Sequence, residues 1–230
     1  MLEVCGLSVS YPEFANAVDG VFFALREGEK VALIGANGAG KTTLLLALAG
    51  VLTPSEGNIS IDGVKFNKKN IHDARKKIGL VFQNPDDQLF MPNIYEDAAF
   101  GPRNFGCSEE ETRERVENAL CQLGIPQLAR RSPLKLSGGE KRLAAISTVL
   151  TMRPSYMLFD EPTAFLDPRA KRALAEILSG LPQGKLIATH DLAFAEKICS
   201  RVLLLQNGRL TAEGGIDILR NAALLESAGL

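Results

Sequence analysis

Short apolar runs, alternating or continuous and each closed by turn residues, recur along the chain. They predict strands at Leu2–Val9, Lys30–Ile34, Asn58–Ile61, Lys77–Phe82, Tyr156–Phe159, Lys185–Thr189 and Arg201–Gln206. Asn207-Gly208 after the last of these, followed by Arg209–Ala212, reads as a hairpin. Between the runs the apolar spacing changes to helical, with helices predicted after Lys41, Ser108, Gly138, Pro168, Asp191 and Ile216. Ser108 followed by Glu109, Glu110 and Glu111 has the form of an N-cap with an acidic first turn. Strands alternating with helices predict an α/β fold around a mainly parallel sheet. Two stretches break the rhythm: residues 1–30 read as β-rich, and residues 84–150 read as mostly helical. The expectation is one domain over residues 1–230, with an N-terminal antiparallel β subdomain and a helical subdomain inserted at about 84–150 of the α/β core.

Composition adds mainly exclusions. With 46% hydrophobic and 23% charged residues, the chain is ordinary globular material rather than disordered, collagenous or coiled coil. Lys and Arg (26) nearly balance Asp and Glu (27), so nothing in the charge points to nucleic acid or an anionic membrane surface. Cys5, Cys107, Cys121 and Cys199 are far apart and lack neighbouring His, which predicts free, mostly buried thiols rather than a disulfide framework or a zinc site. The start of the chain has no basic region followed by an apolar core, and the longest apolar stretch, Leu44 to Leu52, falls short of the ~20 residues of a spanning helix. The expectation is a soluble, cytoplasmic chain.

The segment Gly35-Ala36-Asn37-Gly38-Ala39-Gly40-Lys41-Thr42 matches G-x-x-x-x-G-K-[ST] between an apolar strand and a helix opening at Thr43. Glycines let backbone N–H groups turn onto phosphate oxygens, and the helix N-terminus adds positive potential. Lys41 would reach the β- and γ-phosphates, and the Thr42 hydroxyl would ligate Mg2+. The strand Tyr156–Phe159 ends in Asp160 and Glu161. In a phosphate-loop site the first carboxylate holds Mg2+ and the second polarises the attacking water; alone, the same run is a buried strand with two solvated acids. Leu136-Ser137-Gly138-Gly139-Glu140 before a helix reads as a second anion site, or as a serine N-cap on a flexible turn.

Taken in order, the phosphate loop, Gln83, Leu136–Glu140, Asp160-Glu161, Asp167 and His190 resemble the motif set of the ABC transporter ATPases, over the stretch from Tyr11 to about Gly214. The resemblance implies ATP and Mg2+ as ligands and a head-to-tail homodimer sandwiching two ATP molecules. Gly35 through Thr43 of one protomer and Ser137, Gly138, Gly139 and Glu140 of the other would grip each nucleotide. It further implies that Tyr11 stacks on adenine, that Gln83 joins Thr42 and Asp160 at Mg2+, and that Asp167 couples the two sites. Glu161 would be the catalytic carboxylate and His190 the switch residue at the γ-phosphate, with Lys41 beside them. Three positions depart from the pattern. Glu140 replaces the commoner Gln, Leu143 stands where an Arg is usual with Arg142 next to it, and Phe165 replaces a small residue.

The segment Val81–Phe90 (VFQNPDDQLF), followed by Glu96–Pro102 (EDAAFGP), resembles the energy-coupling-factor importers and, within them, the cobalt/nickel type. Asn84-Pro85-Asp86 would form an Asx turn in any case. The end at Leu230 favours the metal branch over the longer vitamin branch. The resemblance implies a peripheral subunit on the cytoplasmic face of the membrane. Its partners would be a transmembrane scaffold and substrate-binding membrane subunits, without nucleic acid. An energy-coupling-factor ATPase for a vitamin, another ABC importer or an exporter is the alternative. A soluble ABC ATPase of DNA or ribosomes lacks support in the charge balance, and a small-molecule kinase leaves Leu136–Glu140 and His190 unexplained.

Overall fold

The computed structural model describes residues 1–67 and 69–230, without the side chains of Phe14 and Ala15. Strands β1 (Leu2–Tyr11), β2 (Phe14–Leu25), β4 (Glu56–Ile61) and β5 (Val64–Lys65) form a four-stranded antiparallel sheet in the order β2-β1-β4-β5. Strands β3 (Lys30–Ile34), β6 (Ile78–Val81), β7 (Tyr156–Asp160), β8 (Gly184–Ala188), β9 (Arg201–Gln206) and β10 (Arg209–Gly215) form a six-stranded sheet in the order β10-β9-β3-β8-β7-β6. All its pairings are parallel except the β9–β10 hairpin. The mainly parallel sheet beside an N-terminal antiparallel sheet agrees with the expected α/β architecture.

The strand alternation divides the interior into two cores. Val31 and Leu33 of β3 and Leu158 of β7 face one side, where helix α1 (Lys41–Leu48) and the inner face of the antiparallel sheet cover them. Ala32, Ile34, Met157 and Phe159 face the other side. There they meet α5 (Gly138–Leu150), α6 (Pro168–Gly180) and α7 (Leu192–Ile198). With both faces covered, β7 and β8 are buried at every position, as parallel strands of this kind require. The residues between β6 and β7 carry α3 (Ile94–Asn104), α4 (Glu109–Gln122) and α5, with one short 3-10 turn before α3 and two between α4 and α5. Ser108 caps α4 by accepting from the Glu111 N–H at 3.1 Å.

Several elements differ from the sequence expectation. Strand β2 was not legible because Asp19 and Gly20 interrupt its apolar alternation. Helix α2 (Ile71–Lys77) buries no residue and so carries no apolar stripe. Helix α3 contains Pro102, which reads as a breaker. The helix expected from Ile216 is a 3-10 turn over Ile216–Arg220 followed by α8 (Ala222–Ser227). Among the thiols only Cys199 is buried, whereas Cys5 and Cys121 are exposed, correcting the expectation of mostly buried cysteines. Cys5 borders a register shift of β1, and Cys121 lies on the polar side of α4.

Lys185 in β8 is fully buried, and its ammonium donates to the carbonyls of Leu181 (2.6 Å) and Gln183 (2.8 Å). Burial lowers its pKa to about 8. Because the unfolded chain holds this proton up to about pH 10.4, Lys185 contributes stability that increases as pH rises from 8 towards that value. Burial raises the Cys199 thiol to about 12, which acts in the opposite sense, so the comparison must isolate the lysine. Relative to Lys185→Met, the wild-type melting temperature should rise between about pH 7.5 and about pH 9.5. A difference that stays constant across that range contradicts the assignment.

Candidate nucleotide site

In an open parallel sheet, ligands collect beyond the carboxyl ends of the strands. Four strand ends supply the chemistry here: β3 leads into the glycine loop, β8 ends before Thr189-His190, β7 ends at Asp160-Glu161, and β6 runs into Phe82-Gln83. These four strands are consecutive neighbours in the sheet, so groups spread over more than 150 residues of sequence open on one cavity. The cavity measures about 510 Å3, and its lining includes Tyr11, Asn37 through Thr43, Gln83, Asp160, Glu161 and His190.

The loop geometry explains its glycines. Gly40 caps α1 with φ of 102°, and the Ala17 carbonyl oxygen stands where a Cβ would project. Gly35 is pressed against the Leu205 carbonyl in the same way. Neither Gly35 nor Ala36 lines the cavity; their carbonyls accept from the Lys41 ammonium at 2.6 and 3.1 Å. Lys41 is 7% exposed, and Asp160 and Glu161 are each 6% exposed. Three charges are thus confined together in a weakly solvated corner.

Burial lowers the Lys41 pKa, while Glu161, 3.8 Å from its ammonium, and Asp160 oppose that shift. Burial raises the Asp160 pKa against the Thr42 hydroxyl, which donates to its Oδ2 at 2.8 Å. Glu161 adopts φ of 44°, its N–H donates to the Ala188 carbonyl, and its Oε2 lies 2.9 Å from His190 Nδ1. At the outer rim the Tyr11 hydroxyl lies 3.3 Å from Thr43 Oγ1 and its ring remains partly open.

Ser137, Gly138, Gly139, Glu140 and Asp167 do not line this cavity. Of the two expected readings, the structure shows the N-cap: Ser137 caps α5, whose first turn carries Gly138 and Gly139. It forms a capping box, with Glu140 Oε2 accepting from the Ser137 N–H and hydroxyl, each at 2.8 Å. Asp167 caps α6 through the N–H groups of Arg169 and Ala170, both at 2.8 Å. Between them Phe165 stands 88% exposed with φ of 62°, and its carbonyl oxygen borders Gly138. Leu143, at the position where Arg is usual, packs against the core, and the neighbouring Arg142 turns inward.

Residues 18–164, more than half of the chain, match the family model described as ABC transporter. The chain belongs to the ABC transporter family. It is 43% identical to a putative ABC transporter ATP-binding protein of Geobacter sulfurreducens, across all of this chain and 93% of the relative. It is 45% identical to the energy-coupling factor transporter ATP-binding protein EcfA of Carboxydothermus hydrogenoformans, across all of this chain and 86% of that protein. Among solved structures it resembles CbiO1 of Clostridium perfringens, part of the ABC transporter complex CbiONQ, with a TM-score of 0.85 and 36% identity over 97% of this chain and 92% of that one. It also resembles the ABC cassette MJ0796, a dimer seen after hydrolysis with ADP and Pi, with a TM-score of 0.82 and 27% identity over 94% and 99% of the two chains. This ABC protein is therefore the ATP-binding subunit of a transporter, an ATPase coupled to transport. Among the described residues no helix is long and apolar enough to cross a membrane.

The donor set suits a divalent cation of the Mg2+ kind: a hydroxyl (Thr42), a carboxylate (Asp160) and an amide oxygen (Gln83) are hard oxygen ligands, leaving positions for phosphate and water. The glycine loop lining the cavity at the start of α1 and the buried Lys41 suit a polyphosphate. Lys41→Ala should weaken ATP binding by about ten- to a hundredfold, the loss expected for a charge-assisted contact. Isothermal titration checks this, and wild-type affinity would rule out the phosphate cradle.

Proposed function

We propose that this chain is the ATP-hydrolysing subunit of an energy-coupling-factor importer whose cargo is cobalt or nickel, moved by the membrane subunits. Support for the importer branch comes from relatives named EcfA and from the segment Val81–Pro102. The metal cargo is favoured by that segment's resemblance and by the likeness to a subunit of CbiONQ. A vitamin cargo is the second reading, because the EcfA relatives at 44% and 45% identity carry the branch name without a substrate.

The observation that carries the membrane partnership is an exposed aromatic face beside the nucleotide cavity. Phe82, Phe90 and Phe100 are all exposed, and Phe90 and Phe100 meet edge-to-face with ring centroids 5.1 Å apart. A short helix of a transmembrane subunit would seat its apolar side there, in a groove formed by residues 83–105. The chain would then lie at the cytoplasmic face of the membrane.

In the reaction, water adds to the γ-phosphorus as the bond to the β,γ-bridging oxygen breaks, giving ADP and phosphate. Glu161 would orient the water and take its proton. His190, held by Glu161, would reach the γ-phosphate, and Lys41 would offset charge on the β- and γ-oxygens. Thr42, Asp160 and Gln83 would hold Mg2+, which when bound would supply further charge neutralisation to the phosphates. Tyr11 would stack on adenine. Ser137–Gly139 of a second copy would close the cavity from outside, and Asp167 would couple the two sites across the seam.

Glu161→Gln should lower ATP turnover by about a hundredfold or more while retaining nucleotide. Unchanged turnover would sink the catalytic assignment. The tagged variant, purified with ATP and Mg2+ from detergent-solubilised native membranes, should bring down a multi-spanning scaffold and a small His-rich membrane protein. A vitamin-type binding subunit would keep the importer and overturn the metal; only soluble ribosomal or nucleic-acid partners would overturn the importer itself.

A further inference from the structure

Arg142 is the largest fully buried side chain among the described residues, 1% exposed on the inner face of α5. No carboxylate lies within ion-pair distance of it among those residues; its two terminal nitrogens donate to the carbonyls of Phe82 and Gln83, both at 2.6 Å, and Nε has no partner. Burial lowers its pKa to about 10 against the opposing pull of Asp160, so it remains charged at neutral pH.

A buried charge that only Asp160 offsets, from beyond ion-pair distance, is a costly way to fill space, and an apolar side chain of similar volume would serve the core as well. The neighbours Ala144, Ala145, Ile146 and Val149 already pack that side of α5. What the guanidinium supplies, and an apolar group could not, is a rigid fork on two consecutive carbonyls. Those carbonyls belong to the residues that leave β6 and enter the cavity.

The rest of the loop is tied down elsewhere. Gln88 accepts from the Phe82 N–H at 3.1 Å and donates to the Ala145 carbonyl and the Thr148 hydroxyl, both at 2.8 Å. Asp97 of α3 accepts from the N–H groups of Phe90 and Met91, both at 2.9 Å. Of these ties, Arg142 alone reaches the peptide carbonyl of Gln83. The helix that carries Arg142 begins at Gly138, directly after Ser137.

We propose that Arg142 is a positioning residue: its fork fixes the backbone at Phe82 and Gln83 so that the Gln83 amide faces the cation end of the cavity, and it makes the Ser137–Gly139 turn and that end of the cavity move as one body. This rests on the reading that Gln83 reaches Mg2+. Through Arg142, displacement of the aromatic loop by a partner is transmitted both to the cation site and to the start of α5.

Three variants of the full chain test this: Arg142→Met, Gln83→Ala and the double variant. Without nucleotide or metal, hydrogen exchange at residues 82–84 should be about tenfold faster in Arg142→Met, with α1 and the parallel sheet unchanged. The gain in ATP affinity on adding Mg2+, measured by titration rather than turnover, should fall about tenfold in each single variant and no further in the double one. Should Arg142→Met fail to fold, Arg142→Lys carries the same measurements, with about threefold losses because one ammonium cannot span both carbonyls in a fixed geometry. A wild-type Mg2+ effect in the Arg142 variant beside a reduced one in Gln83→Ala overturns the positioning role. A wild-type Mg2+ effect in Gln83→Ala overturns the underlying reading of Gln83, and the proposal with it.

Discussion

A buried ammonium facing two buried carboxylates is the arrangement on which the structure turns. Lys41, Asp160 and Glu161 are each nearly excluded from water, and none has a partner that fully compensates it. Lys41 borrows the carbonyls of its own loop, Asp160 borrows the Thr42 hydroxyl, and Glu161 holds His190. Such a corner is poorly satisfied by itself and well matched to a polyanion with a divalent cation, whose charges complement both signs. Only adjacent parallel strands, covered on both faces, hold these groups side by side without exposing them. The two cores flanking the six-stranded sheet serve that requirement, and so does the helix that begins at Lys41.

The same sheet sets what the site lacks. Its strand ends build the floor and one wall, whereas the glycine turn at Ser137 stands at the start of α5, outside the cavity. Phe165 and Leu134, each 88% exposed, flank that turn as apolar side chains with no cover in the chain itself. In the proposed head-to-tail pair, the cavity on one surface and the glycine turn on the other would each be half of a site. Within one chain the two surfaces are joined mechanically by α5, which Gln88 and Arg142 tie to the loop leaving β6.

Much of this was legible in the sequence. The glycine loop and the Asp160-Glu161 strand end follow from residue types at strand ends, because a phosphate site demands them there, whereas His190 stood out only through the resemblance to the ABC transporter ATPases. The parallel sheet followed from continuous apolar runs, the mark of strands buried on both faces, and the other sheet from the β-rich reading of residues 1–30. Less legible were features that leave no periodic trace. Strand β2 is broken by Asp19 and Gly20, α2 lacks a buried face, and α3 carries a proline. The ties made by Gln88, Asp97 and Arg142 were not readable, because a polar residue on a loop or helix predicts solvent until the segment packed against it is seen. For Arg142 a faint signal existed: it stands next to Leu143, where an arginine was expected, and the structure gives that charge a buried place one position earlier.

The central claim is that the nucleotide cavity of one chain is completed by the Ser137–Gly139 turn of another. Two separately inactive variants, Lys41→Ala and Gly138→Asp, test it directly when mixed and assayed for ATP hydrolysis. In a head-to-tail pair, the mixed dimer joins the intact glycine loop of one variant to the intact serine-glycine turn of the other, and turnover returns. If the mixture stays as inactive as its components while each variant still folds, each chain works alone and the composite site is wrong.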